Sequence, residues 1–131
     1  MTPLEIAHEM FARIDQRDWA GVADLTADDY VIHEPAVLPF GGEWRGRDAM
    51  PRLYGHVMGY WDDPVIEREA IMGDERQFVA VLRFSMTSKL TGNRFTQTVA
   101  EVTRCADGKM LETRVHYFDA AEVAREAGPK R

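Results

Sequence analysis

The chain has a single cysteine, Cys105, among 131 residues. That excludes an intrachain disulfide and a thiolate metal cage, and with no redox or nucleophile motif around it Cys105 reads as an ordinary structural thiol. Basic charge is also short: 16 Lys and Arg face 22 Asp and Glu, for a net charge of −6. The basic residues are scattered, so binding driven by counterion release from nucleic acid is not expected. No apolar run is long enough to span a bilayer. The opening MTPLEIAHEMFARI places acids and a histidine where a signal peptide needs an uninterrupted apolar segment. A cytoplasmic protein with no membrane partner is the expectation. Missing too are a Gly-rich phosphate loop and a Ser nucleophile motif. His8 and His56 have no second ligand at a metal-binding spacing, so neither a metal nor a cofactor is predicted.

What remains is a chain with 45% hydrophobic residues, enough for one compact domain burying roughly two-thirds of the surface its unfolded form exposes. Thr2-Pro3-Leu4-Glu5 reads as a capping box with proline at the first helical position. Leu4, Ala7, Met10, Phe11 and Ile14 then fall along one stripe, which predicts a first helix. Asp18 caps a shorter second helix carrying Trp19, Val22, Ala23 and Leu25. The following TADD ends it, with Asp28 and Asp29 as turn formers. A β-branched run from Tyr30 to Pro35 predicts a strand. After a Pro- and Gly-rich loop, Met50, Leu53, Tyr54, Val57 and Met58 predict a third helix, with Pro51 in its first turn and Gly59 at its end.

The pattern then changes to β. A weak strand is predicted over 65–72. A strong one runs from Gln77 to Lys89, where Phe78, Ala80, Leu82, Phe84 and Met86 alternate. LTGN turns it into a partner from Arg94 to Cys105, and Asp107-Gly108 gives a hairpin signal before a last strand from Met110 to Phe118. The closing DAAEVAREAGPKR predicts a short helix that frays on its own. Helices followed by strands give one α+β domain over residues 1–131. Three short helices cannot blanket a flat antiparallel sheet of long strands. The sheet is therefore expected to curl around them into a cone with a cavity at its mouth.

Four segments carry a family resemblance: D-x-x-D-W at Asp15 to Trp19, ADDYVIHEP at 27–35, PFGGEWRGRD at 39–48, and YFD at 117–119. Together they resemble the nuclear transport factor 2-like superfamily, and within it the SnoaL-like and ketosteroid-isomerase-like proteins, over nearly the whole chain. The resemblance implies the cone-shaped α+β barrel, also called cystatin-like, and commonly a homodimer formed through the outer sheet face. That open face, with Val99 among its apolar residues, wants cover. The superfamily includes isomerases, dehydratases, epoxide hydrolases, polyketide cyclases and non-catalytic binders, so the fold alone fixes no reaction.

Compared residue by residue, Glu34 before Pro35 occupies the place of the ketosteroid isomerase general base. The oxyanion donors of those enzymes would fall near Met10 and Ala100, and neither residue can donate, so steroid isomerisation is not expected. Limonene epoxide hydrolases carry a catalytic aspartate before YFD and an Arg-x-Asp pair on a middle strand. Here those places hold His116 and Leu82-Arg83-Phe84. Asp15 matches the aspartate that orients a histidine base in scytalone dehydratase. The partner histidine of that enzyme would lie within Val65 to Glu69, so His116 is the expected substitute.

The resulting expectation is cofactor-independent acid–base chemistry on a small, mostly apolar molecule: isomerisation, cyclisation, dehydration or hydrolysis. Glu34 is the base or acid, His116 its complement and Asp15 an orienting group. Tyr30, Tyr54, Trp61, Phe118 and Met10 line the site. His33 alternates away from Glu34 and reads as a surface residue. His116 faces inward when counted from YFD and outward when counted from the hairpin, a conflict that a bulge would resolve; inward is the expectation. The alternative is a non-catalytic ligand-binding or interaction module, its cone either filled or holding a ligand without chemistry; a sealed cavity with Glu34 an exposed strand-end carboxylate would decide for it.

Overall fold

The computed structural model describes residues 1–130. The first helix, α1 (Pro3–Asp15), starts with the expected capping box. The Thr2 hydroxyl accepts from the Glu5 N–H at 3.2 Å, and the Glu5 carboxylate accepts from the Thr2 N–H at 2.9 Å. Its buried stripe is Ile6, Ala7, Met10 and Phe11, with Leu4 only half-buried. In α2 (Trp19–Asp24) the Asp18 carboxylate accepts from the Gly21 N–H at 2.9 Å. A Cβ at residue 21 would lie 2.2 Å from that carboxylate, so glycine alone permits so close a cap. Helix α3 (Ala49–Val57) buries Leu53 and Val57 and continues into a single 3₁₀ turn at Met58–Tyr60.

Six strands form one sheet: β1 (Thr26–Glu34), β2 (Gly42–Arg45), β3 (Trp61–Gly73), β4 (Gln77–Ser88), β5 (Arg94–Ala106) and β6 (Lys109–Tyr117), in the order β2-β1-β6-β5-β4-β3. The pairings are antiparallel except β1 with β6, which is parallel. The sheet is therefore mixed rather than wholly antiparallel. Strand β1 starts earlier than the sequence suggests. Asp28 and Asp29 are exposed strand residues, where the register against β6 shifts between Thr26 and Val31. Strand β2, unmarked in a Gly-rich loop, is an edge strand. The weak 65–72 signal belongs to a 13-residue edge strand whose mostly exposed faces hide its alternation.

The last helix, α4 (Ala120–Ala127), is docked rather than frayed. Val123, Glu126 and Ala127 are buried. The Glu126 carboxylate accepts from the Thr91 hydroxyl and, at 3.0 Å, from the Asn93 amide, while the Ser88 hydroxyl donates to the Glu126 carbonyl at 2.6 Å. These bonds tie α4 to the β4–β5 turn and supply what a short isolated helix lacks.

One irregularity decides which residues of β6 face inward. Cys105 pairs with Met110, but Arg104 pairs with Glu112, so Leu111 is an extra residue in β6. Past this bulge Thr113, Val115 and Tyr117 face the helices, opposite Thr103, Glu101 and Val99. His116 consequently pairs with Ala100 on the outer face and is exposed, which corrects the inward expectation. Val99 is corrected in the opposite sense: it is buried and faces the helices, not the outer surface. The apolar part of the outer face is instead Ala70, Met72, Val79, Val81, Ala100 and Val102.

Candidate active site

The concave face of the sheet and helices α1 and α3 enclose a cavity of about 390 Å³. Its deep wall is apolar: Met10, Ile32, Leu53, Leu82, Val99 and Val115. Three buried hydroxyls interrupt that wall, with Tyr30 Oη 2.6 Å from Thr113 Oγ1, which lies 2.8 Å from Thr103 Oγ1. At the mouth the lining includes the exposed Asp15, Arg17, Pro64, Ile66 and Arg68 and the half-exposed Tyr54.

Two carboxyl groups share this cavity. Glu34 ends β1 on the same face as Tyr30 and Ile32, because side chains two apart in a strand point the same way. It is only 8% exposed. The Tyr117 hydroxyl donates to its Oε1 at 3.1 Å. Burial raises Glu34 to about 8; the Tyr117 hydrogen bond opposes the rise and the nearby charge of Glu101 adds to it. Glu101 comes from β5, between Val99 and Thr103 on the inner face. It has no hydrogen-bond or ion-pair partner among the described residues, and burial raises it to about 7. Tyr117 is itself pushed well above the usual phenol range by burial and by Glu34, so it stays a neutral donor.

The predicted residues divide clearly. Glu34, Tyr30 and Met10 line the cavity, with Tyr54 at its mouth. Asp15 is also at the mouth, where it pairs with Arg68 (3.0 Å from Oδ2 to Nη1) instead of orienting a histidine. That guanidinium holds Asp15 below the usual carboxylate range. His116 lies outside the cavity, so the Glu34–His116 pair does not form. Trp61 is buried but packs edge-on against Phe95, centroids 5.4 Å apart, and does not line the cavity. Phe118, one residue beyond β6, is 88% exposed. His33 turns away from Glu34 as expected, to Glu112 at 3.1 Å. Sequence reading missed Glu101 and Tyr117. Glu101 shares the face of Val99, which the sequence reading had assigned to the outer surface, so its inward position emerged only from the strand pairing, and Tyr117 required knowledge of the bulge. The sealed cone with an exposed Glu34 is not the arrangement found.

A curved mixed sheet wrapped on N-terminal helices, with acids in an apolar cone, defines the class: a nuclear transport factor 2-like α+β barrel. Within it, the chain belongs to the SnoaL-like domain family, whose model matches residues 7–113. A nuclear transport factor 2-like protein from Burkholderia thailandensis is 28% identical, superposing with TM-score 0.83 over 98% of this chain and 99% of that one. IdmH from Streptomyces antibioticus, proposed to be a polyketide cyclase, is 17% identical with TM-score 0.72 over 96% and 98%. A protein with a ketosteroid isomerase-like fold from Catenulispora acidiphila is 14% identical with TM-score 0.71 over 98% and 95%. At these lower identities the likeness is one of fold. No curated protein matches the chain significantly.

Proposed function

We propose that the protein is an acid–base enzyme that moves a proton on a small, mostly apolar molecule held in the cavity, in a cofactor-independent reaction of isomerase, cyclase, dehydratase or hydrolase type. The observation that carries this reading is the pair of carboxyl groups in one apolar cavity. Glu34 is held neutral near pH 7 and bonded by Tyr117, and among the described residues Glu101 has no hydrogen-bond or ion-pair partner. A carboxylate with its ordinary pKa is a weak base at neutral pH; one raised to about 7 has both an ionised population and useful basicity.

Glu101 removes a proton from an acidic C–H or O–H of the ligand. Glu34, still protonated near neutrality, donates a hydrogen bond or its proton to the oxygen on which charge develops. Tyr117 occupies one Glu34 oxygen and leaves the other to the ligand. Glu34 thus provides the donor that Met10 and Ala100 cannot. Returning the proton from Glu101 to another carbon gives isomerisation, and expelling a hydroxyl assisted by Glu34 gives dehydration.

In this reading the enzyme is a cytoplasmic homodimer. The apolar outer band around Val81 and Val102 supports the second copy. Among the described residues no helix is long and apolar enough to cross a membrane.

The experiment is proton exchange. Cyclic ketones and enones are incubated with the protein in D₂O, and loss of the α-proton signal is followed by NMR. Positioned proton transfer contributes typically 10² to 10⁴-fold, and Glu101→Gln is expected to lose about that much. A ketone that binds, as seen by shifts at Tyr117, yet exchanges equally fast in Glu34→Gln/Glu101→Gln as in the wild type would sink the reading.

A further inference from the structure

The polar mouth of the cavity is unused by this chemistry, and it holds two guanidinium groups against one carboxylate. Arg68 projects from the inner face of β3, stacks over the Phe11 ring at 4.4 Å and is neutralised by Asp15. Arg17 also acts on Asp15 by its charge and helps hold that carboxyl low, but it is not bonded to it. Among the described residues no carboxylate is in ion-pair contact with it. Its hydrogen bonds go to the Ile14 carbonyl at 2.9 Å and the Tyr54 hydroxyl at 3.3 Å, with its guanidinium over the Tyr54 ring at 5.4 Å. A guanidinium has five N–H donors, so most of those on Arg17 remain open at the mouth.

The backbone at this position makes an arginine notable. Arg17 has φ of +56°, just past the end of α1, where the left-handed turn that closes a helix is ordinarily given to glycine. The turn does not need a long cationic side chain. What the side chain does is hold a positive charge at the rim, braced on Tyr54. The interior wall has the opposite character: Glu34 and Glu101 line it, and a fixed anionic group placed beside them would meet burial, with like charge added wherever Glu101 has lost its proton.

We propose that the mouth is an anion subsite in which Arg17, with Arg68 beside it, takes a carboxylate or comparable anionic group at one end of the ligand. The ligand is then an amphipathic acid that enters body-first and binds in one orientation, its uncharged, reacting end toward the two glutamates and its anionic group at the mouth. This rests on the cavity being the ligand site, as in the proposed function, and assigns the chemical class of what occupies it.

The test compares two fluorescent probes of nearly the same shape, anilinonaphthalene sulfonate and its uncharged parent phenylnaphthylamine, titrated into the folded protein at low and physiological salt. The wild type is expected to prefer the sulfonate by about fivefold to tenfold, as for charge-assisted bonds at a partly exposed site. Arg17→Gln removes most of that preference with little change in phenylnaphthylamine affinity, and Arg17→Lys retains part of it. Equal binding of the two probes, or a preference that survives Arg17→Gln, overturns the anion subsite and leaves the acid–base reading standing. If neither probe binds, the cavity is not a ligand site and both readings fall.

Discussion

Replacing Glu34 by glutamine removes one titrating group while keeping the shape of the side chain, and its effect on stability follows from where Glu34 sits. In the folded protein its pKa is raised from 4.5 to about 8. Below pH 4.5 the group is protonated in folded and unfolded chains alike and contributes no difference. Between 4.5 and 8 the unfolded chain has lost the proton and the folded chain has kept it, so stability falls as pH rises; above 8 the loss is complete. At about 1.4 kcal/mol per pH unit, the gap of roughly 3.5 units amounts to roughly 5 kcal/mol, an upper bound because Glu34 borders an open cavity and is not wholly shielded from solvent. A loss of that size is a large part of the stability of an ordinary domain. The carboxyls held below their ordinary values, such as Asp15 and Glu126, titrate on the acid side of this window and do not obscure it. The assay is urea unfolding at half-unit steps from pH 5 to 9. The wild type is expected to weaken steadily up to about pH 8. Glu34→Gln should be clearly flatter, with a residual slope ending near pH 7 that belongs to Glu101. Identical slopes in the two proteins, or a Glu34 carboxyl resonance titrating near its ordinary value, would refute the burial argument on which the site depends.

Tyr117→Phe deletes the hydrogen bond that holds Glu34 down, so the Glu34 pKa, read by carbon NMR, should rise further; a fall would mean that the phenol does not donate to it. Glu126→Ala leaves the Thr91 hydroxyl and Asn93 amide without their acceptor. It should cost about 1 to 3 kcal/mol and raise hydrogen exchange in α4 selectively, whereas uniform exchange across the chain would count against a local tie. A homodimer through the outer sheet face predicts twice the chain mass in light scattering and a monomer for Val81→Arg, whose charge would fall in the middle of the apolar band. A monomeric wild type would end that proposal.

Periodicity and caps made most of the architecture readable in advance. The capping box at Thr2, the Asp18 cap, the alternation from Phe78 to Met86 and the Asp107-Gly108 turn are local signals, and each specifies its element with neighbours a few residues away. The segments that escaped were those stabilised from a distance. Strand β2 exists because β1 offers a partner, and α4 holds because Glu126 meets Thr91 and Asn93 across more than thirty residues of chain.

The site divides along the same line. That an ionisable residue ends the first strand on an apolar face was written in the order Tyr30, Ile32, Glu34, since a two-residue period needs no tertiary information. Which groups meet Glu34 was not. One extra residue at Leu111 rotates the rest of β6, sending His116 into solvent and Tyr117 to the carboxylate, and the register between β5 and β6 brings Glu101 to the same cavity. A strand pattern states that residues alternate, but the face each one takes is set by pairing with a neighbouring strand. The sequence by itself therefore determined the elements and the first acid; the tertiary structure decided the acid's company, because a bulge is a property of two strands together.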